Sequence, residues 1–246
     1  MHRLILGKRP DKIFNSVEAW RKFANSLDHR IKVLGNDGQS HPAYEWVNGK
    51  EIQIHRMPDV PEDAVEYIVE GIDGLIRQIG LDVNINYSNS HSSVEEVRKA
   101  TECSDTLYDG TLDRDKLVRL LVVESWRNPI YGGRPHADVI ITSQYINWFT
   151  SNRGSAGFLH GYMVISLPKD RQIPPEEIVR ISRHEAGHLL GLYEHHYPSI
   201  TVKGYDPTSC NMEDGAPVLN TCNMHLDSLR FFWLGLQKRT GVTFFK

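Results

Sequence analysis

A chain of 246 residues with 40% hydrophobic and 24% charged side chains is long enough to bury a substantial core and has an ordinary globular composition. Its 28 Lys and Arg against 31 Asp and Glu leave a formal charge of -3, which gives no electrostatic basis for binding nucleic acid or an anionic membrane surface. No apolar run approaches the roughly 20 residues of a membrane span, and residues 1–10 lack the apolar length and the cleavage site of a signal peptide. The reading is a cytoplasmic chain, or a secreted one whose signal has been removed. Three cysteines are too few for a disulfide framework, and Cys103 reads as a plain thiol.

Residues 1–50 read as an N-terminal extension of unassigned role, with a helix-like segment at 17–27 and the turn-rich Gly35-Asn36-Asp37-Gly38. The remainder, 51–246, reads as one domain. Residues 51–55 suit a strand. Across 63–79, Val65, Ile68, Val69, Ile72, Leu75, Ile76 and Ile79 recur with a helical period behind Pro61-Glu62-Asp63. Residues 81–87 alternate apolar and polar side chains, as a half-buried strand does. Strand, helix, strand is the opening of an α/β sheet. Two more helices are predicted at 94–102 and 114–126, then an apolar strand at 137–142 and a last strand at 161–167. Pro174-Pro175-Glu176-Glu177 starts a helix, with proline in its first turn and acids at the positive end of its dipole. That helix runs to about Leu190, where Gly191 is placed to end it in a left-handed conformation.

This last helix carries His184-Glu185-Ala186-Gly187-His188. Residues four apart share a helix face, so His184 and His188 can present two imidazole nitrogens to one zinc ion. Glu185, rotated about 100° from His184, is in position to act as general base toward a metal-bound water. Ile178, Ile181, Leu189, Leu190 and Leu192 make the helix largely apolar, which places the motif in a buried or cleft-lining element rather than on a solvated surface. A zinc site that also binds water needs a third ligand, and Gly191-Leu192-Tyr193-Glu194-His195-His196 offers three candidates directly after the helix. Glu213, in the turn-like Asn211-Met212-Glu213-Asp214-Gly215, is a more distant alternative.

His184-Glu185-x-x-His188-x-x-Gly191 resembles the long motif of the metzincins, in which the third ligand follows the glycine after two further residues. Spacing puts Glu194 in that place and residue type puts His195 there; the first is preferred, since two histidines and a glutamate form a sound zinc shell. Cys210-Asn211-Met212 resembles the Cys-x-Met of the archaemetzincins and implies that Met212 is the methionine of a Met-turn beneath the metal, with Met224 a weaker candidate. The same resemblance implies a second, structural zinc held by His195, Cys210, Cys222 and His225, with His196 substituting if His195 serves the first ion. Fourteen residues between His195 and Cys210, and nine between Met212 and Cys222, depart from the family's spacing. A Cys210–Cys222 disulfide, as in the snapalysins, and two plain thiols stay open as alternatives.

The resemblance spans about 137–229. It implies a metzincin-like α/β zincin over 51–246, with a mixed twisted sheet, an active-site helix and a C-terminal subdomain bearing the Met-turn. The 161–167 strand would form the exposed edge above the cleft, where an extended peptide can pair with it. The implied activity is that of a zinc metallopeptidase, either an endopeptidase or aminopeptidase-like, acting on peptides or proteins. Zinc-bound water attacks the scissile carbonyl, and Glu185 takes its proton and passes it to the leaving amine. Tyr193, Tyr197 and Tyr205 are candidate helpers for the oxyanion. Two other readings are a non-enzymatic zinc protein with a closed site, both Glu194 and His195 ligating, and a non-peptidase zinc hydrolase. A latent form, with residues 1–50 occupying the cleft as a prosegment, is a further reading.

Overall fold

The computed structural model describes residues 32–34, 40–42, 45–58, 60–87, 111–112, 134–146, 153–158, 161–192, 210–212 and 217–246. In chain order these form β1 (Lys32–Leu34) and β2 (Ser40–Pro42), a 3-10 helix (Glu45–Gly49), β3 (Glu51–Arg56), α1 (Ala64–Ile79), β4 (Asn84–Tyr87) and β5 (Thr111–Leu112). There follow β6 (Ala137–Thr142), β7 (Tyr145–Ile146), β8 (Gly154–Gly157), β9 (Tyr162–Ser166), α2 (Pro175–Leu189) and α3 (Asn223–Thr240). The helices predicted at 17–27, 94–102 and 114–126 lie outside the described residues. Among the described residues no helix is long and apolar enough to cross a membrane.

A five-stranded sheet in the order β4-β3-β6-β9-β8 is the centre of the molecule. Four of its strands are parallel and β8 runs antiparallel to β9, so the sheet is mixed, as expected. One expectation is overturned. The 161–167 segment is not the edge: β9 lies between β6 and β8, and β8 is the terminal strand. Its Gly154-Ser155-Ala156-Gly157 has no β-branched or aromatic residue to announce a strand. It is one because its main chain pairs with β9 from Gly154↔Ile165 to Gly157↔Tyr162. The 81–87 strand is shorter than predicted; Leu81 bridges to Phe245 instead, and regular pairing begins at Asn84.

Alternation along the strands sends one set of side chains to the helices. Ile52 and Ile54 of β3, Val139 and Ile141 of β6, and Met163 and Ile165 of β9 form a continuous core with Ile68, Ile72 and Leu75 of α1 and Ile178, Ile181, Ala186 and Leu189 of α2. The helical repeat read across 63–79 is therefore the buried face of α1, and each fully buried aliphatic side chain contributes about 1.5–3 kcal/mol. Trp46 and Val47, just ahead of residue 51, belong to the same core. The helix α3, which the sequence reading did not assign, adds Leu226, Leu229, Phe232, Trp233 and Leu236 to this core. The Trp233 indole donates to the Leu190 carbonyl at 2.9 Å, capping an otherwise orphaned carbonyl at the end of α2. Trp233 also packs edge-on to Trp46, and Phe232 edge-on to Phe158.

The opposite face of the sheet holds a buried ionic cluster. Asp138 of β6 lies 2.8 Å from His55 Nε2 on β3 and 3.2 Å from His136 Nε2. Burial alone would push the Asp138 carboxyl up, but the hydrogen bonds from His136 and His55 outweigh it and hold the group well below the usual carboxylate range. Burial would likewise lower His136, and its bond to Asp138 raises it instead. The carboxylate's contribution to stability is thus complete above its ordinary value of 3.8 and lost as pH falls further. That of His136 is complete below 6.5 and lost as pH climbs through its raised folded value. Asp138→Asn is expected to cost roughly 3–5 kcal/mol of unfolding free energy and to flatten both limbs, as read by urea unfolding across pH. An unchanged pH profile would show that the cluster is not what sets it.

Candidate metal centres

The motif helix begins and ends where local chemistry dictates. Pro174 and Pro175 occupy its first positions, with Glu176 and Glu177 in the first turn. At the other end Gly191 takes φ +116°, a conformation that a residue with a Cβ adopts only under strain. This turn folds Leu192 back over the helix, so that its carbonyl accepts from His188 Nδ1 at 2.7 Å. The Asn211 carbonyl does the same for His184 Nδ1, also at 2.7 Å. A carbonyl oxygen can only accept, so both rings carry their proton on Nδ1 and turn a lone pair outward from Nε2.

Those two Nε2 atoms lie 3.3 Å apart. Two acceptor nitrogens at that distance repel unless a cation sits between them. Two nitrogens each about 2.05 Å from one tetrahedral ion are separated by about 3.3 Å, so the spacing fits zinc closely. Both His184 and Glu185 are 8% exposed, and His188 is more open. Glu185 lies against Gly154 of β8. Below the helix Met212 is fully buried, its sulfur so near Gly187 that a Cβ there would fall 2.5 Å from it. Met224 is a partly buried member of the ordinary core.

A second constellation forms where Cys210-Asn211-Met212 meets the start of α3. Cys210 Sγ and Cys222 Sγ lie 3.4 Å and 3.5 Å from His225 Nδ1. All three are buried, and their ligand atoms fall within 4.8 Å of one another. Tetrahedral zinc with one sulfur at about 2.3 Å and one nitrogen at about 2.05 Å separates them by about 3.6 Å, so this group also fits the metal. The two cysteines are thiols, and the disulfide alternative is not formed. Local sequence explains the convergence: Cys222 stands at the N-cap position of α3 and His225 one turn further on, facing the same side. Asn211 N donates to Asn220 O at 2.8 Å and Thr221 Oγ1 donates to Asn211 Oδ1 at 2.9 Å, clasping the two cysteine segments together.

The remaining candidates, Glu194, His195 and His196 as ligands, Tyr193, Tyr197 and Tyr205 as oxyanion helpers, Glu213 as a distant ligand and Cys103, lie outside the described residues. Sequence reasoning missed the Asn211 and Leu192 carbonyls, because main-chain acceptors leave no mark on residue type, and it missed Gly154.

No family model matches the chain, and comparison with curated protein sequences gives no match. Solved structures do match. The archaemetzincin of Methanopyrus kandleri is 15% identical, with 76% of this chain and 95% of that chain covered and a TM-score of 0.51. A zinc-dependent peptidase from Methanocorpusculum labreanum is 14% identical, with 72% and 99% covered and a TM-score of 0.48. The archaemetzincin of Archaeoglobus fulgidus is 16% identical, with 72% and 99% covered and a TM-score of 0.45. At such identities the likeness is one of architecture, and the Methanopyrus kandleri structure carries it: this chain has an archaemetzincin-like zincin fold.

Proposed function

We propose that the protein is a zinc-dependent metallopeptidase. The observation that carries this reading is the pair of Nε2 atoms 3.3 Å apart, each aimed by a main-chain acceptor behind its ring, on the helix that also carries Glu185. His184 and His188 would hold the ion, with Glu194 as third ligand and His195 as its alternative. Zinc held there would acidify a bound water and polarise the carbonyl of a peptide bond. The Glu185 carboxylate accepts the attacking water's proton and returns it to the departing amine nitrogen. Its burial keeps bulk water from competing for that proton. Met212 supports the helix from below as the Met-turn residue.

Substrate placement follows from the corrected sheet order. Among the described residues β8 is the last strand of the sheet, and an extended peptide would add beside it as a further strand close to Glu185. Cys210, Cys222 and His225 would hold a second zinc, with His195 or His196 completing four ligands. Such a closed shell supplies rigidity rather than catalysis.

The test is direct. The purified chain is expected to carry about two zinc ions, to cleave members of a diverse peptide library, and to lose that activity to a strong chelator and regain it with zinc. X-ray absorption showing four protein ligands at the His184–His188 centre, with no exchangeable position, would overturn the assignment in favour of a non-enzymatic zinc protein. Cleavage of simple esters or amides but of no peptide would indicate another zinc hydrolase.

A further inference from the structure

We infer that Gly154 is a positioning residue for Glu185: the side chain missing from β8 is the space that the catalytic carboxylate occupies. This rests on the metallopeptidase reading for its catalytic consequence, although the contact itself does not. A Cβ built on Gly154 would lie 2.4 Å from Glu185 Cγ, 2.4 Å from Oε1 and 2.6 Å from Cδ. Its three nearest neighbours are therefore all atoms of one side chain. The backbone gives no other reason for glycine, since Gly154 is not among the residues with positive φ, and its conformation suits any amino acid.

Neither partner has room to withdraw as a unit. Gly154 is buried and paired with Ile165 on β9. Arg153, the preceding residue, forms an ion pair with Glu177 in the first turn of α2, which ties the entrance of β8 to the motif helix. Glu185 springs from that same helix and is 8% exposed. The carboxylate thus lies between its own helix and a strand's main chain, against a wall that cannot rotate aside as a side chain does. The same close approach brings the edge strand on which substrate would pair next to the group that moves the proton. Any side chain at 154 pushes away the mobile end of Glu185, because that end yields more easily than the sheet.

Gly154→Ala is accordingly expected to fold and to bind zinc as the wild type does, yet to lose about a hundredfold in kcat, the penalty of an ångström-scale misplacement. KM should move by less than about threefold, because ground-state binding is untouched. Glu185→Asp withdraws the carboxylate by one methylene and makes room for the methyl group. In that background Gly154→Ala should change kcat by less than about threefold, a non-additivity that a general weakening of β8 cannot produce. A readout besides activity accompanies it. In the zinc-loaded protein Gly154→Val is expected to lower Tm by about 5 °C, and Glu185→Ala to restore most of that loss. Should Gly154→Val fail to fold, folding of the Gly154→Val, Glu185→Ala pair gives the same support. Full kcat in Gly154→Ala, equal losses in both Glu185 and Asp backgrounds, or a Tm loss indifferent to Glu185→Ala would overturn the inference. A wild-type chain that cleaves no peptide while the melting cycle couples the two residues would instead sink the peptidase reading and leave the contact standing.

Discussion

Glu185→Gln is expected to lower kcat by roughly 10²–10⁴-fold while zinc content and Tm stay at wild-type values. Glutamine keeps the shape of the side chain, so it fits the same space against Gly154 and leaves the packing of α2 intact. What it loses is the basic oxygen: the amide can still accept or donate a hydrogen bond, but it cannot take a proton from water at neutral pH. The metal should remain, because the two Nε2 atoms are aimed by the Asn211 and Leu192 carbonyls, neither of which involves Glu185. His184→Ala separates the two roles, since it removes a ligand and should lose metal and activity together. Metal analysis beside single-turnover peptide cleavage reads both variants. Turnover within about tenfold of wild type in Glu185→Gln would remove the general base from the mechanism, and loss of zinc in that variant would show that Glu185 is a ligand instead.

The legible parts of this molecule are those decided by neighbours in sequence. Proline and acids at 174–177 and glycine at 191 bound α2 because helix ends leave orphaned amides and carbonyls that particular residues satisfy. The β3-α1-β4 unit was readable because a period of 3.6 followed by a period of two matches a helix and then a strand and little else. The His184 and His188 spacing fits one helix face, so proximity in the chain implied proximity in space, whereas Cys222 and His225 were reached only through the resemblance. The illegible parts are those decided at long range. β8 is a strand only through its ladder to β9; the resemblance implied that the last apolar strand before the motif helix was the edge, and nothing in 154–157 announces a further partner to correct it. The turn-rich residues before α3 obscured that helix, whose N-cap position holds Cys222, which makes no side-chain capping bond, rather than a residue with a recognisable capping preference. Its Leu226, Leu229, Phe232 and Leu236 nonetheless carry the spacing of a buried face.

Cys222→Ser is expected to release the second zinc, to lower Tm by well over 5 °C, and to weaken zinc binding at His184 and His188 by about 10–100-fold. The first two effects follow from removing one thiolate from a buried group whose metal would hold the start of α3 to the Cys210 segment. The third follows from covalent geometry. Cys210, Asn211 and Met212 are consecutive: the first offers its sulfur to the Cys–His group, the second offers its carbonyl to His184, and the third sets its sulfur beneath Gly187. The Asn220–Thr221–Cys222 side is clasped to this tripeptide by hydrogen bonds at Asn211. Loosening Cys210 therefore loosens the acceptor that fixes the His184 tautomer, and an imidazole free to rotate or to move its proton to Nε2 is a poorer ligand. Metal analysis after mild chelation, with competition titration of the remaining zinc, measures the coupling. If Cys222→Ser keeps both metals, the second centre is assigned to the wrong residues. If it loses one metal and the affinity of the other is unmoved, the tripeptide does not transmit, and the two centres are independent neighbours on one scaffold.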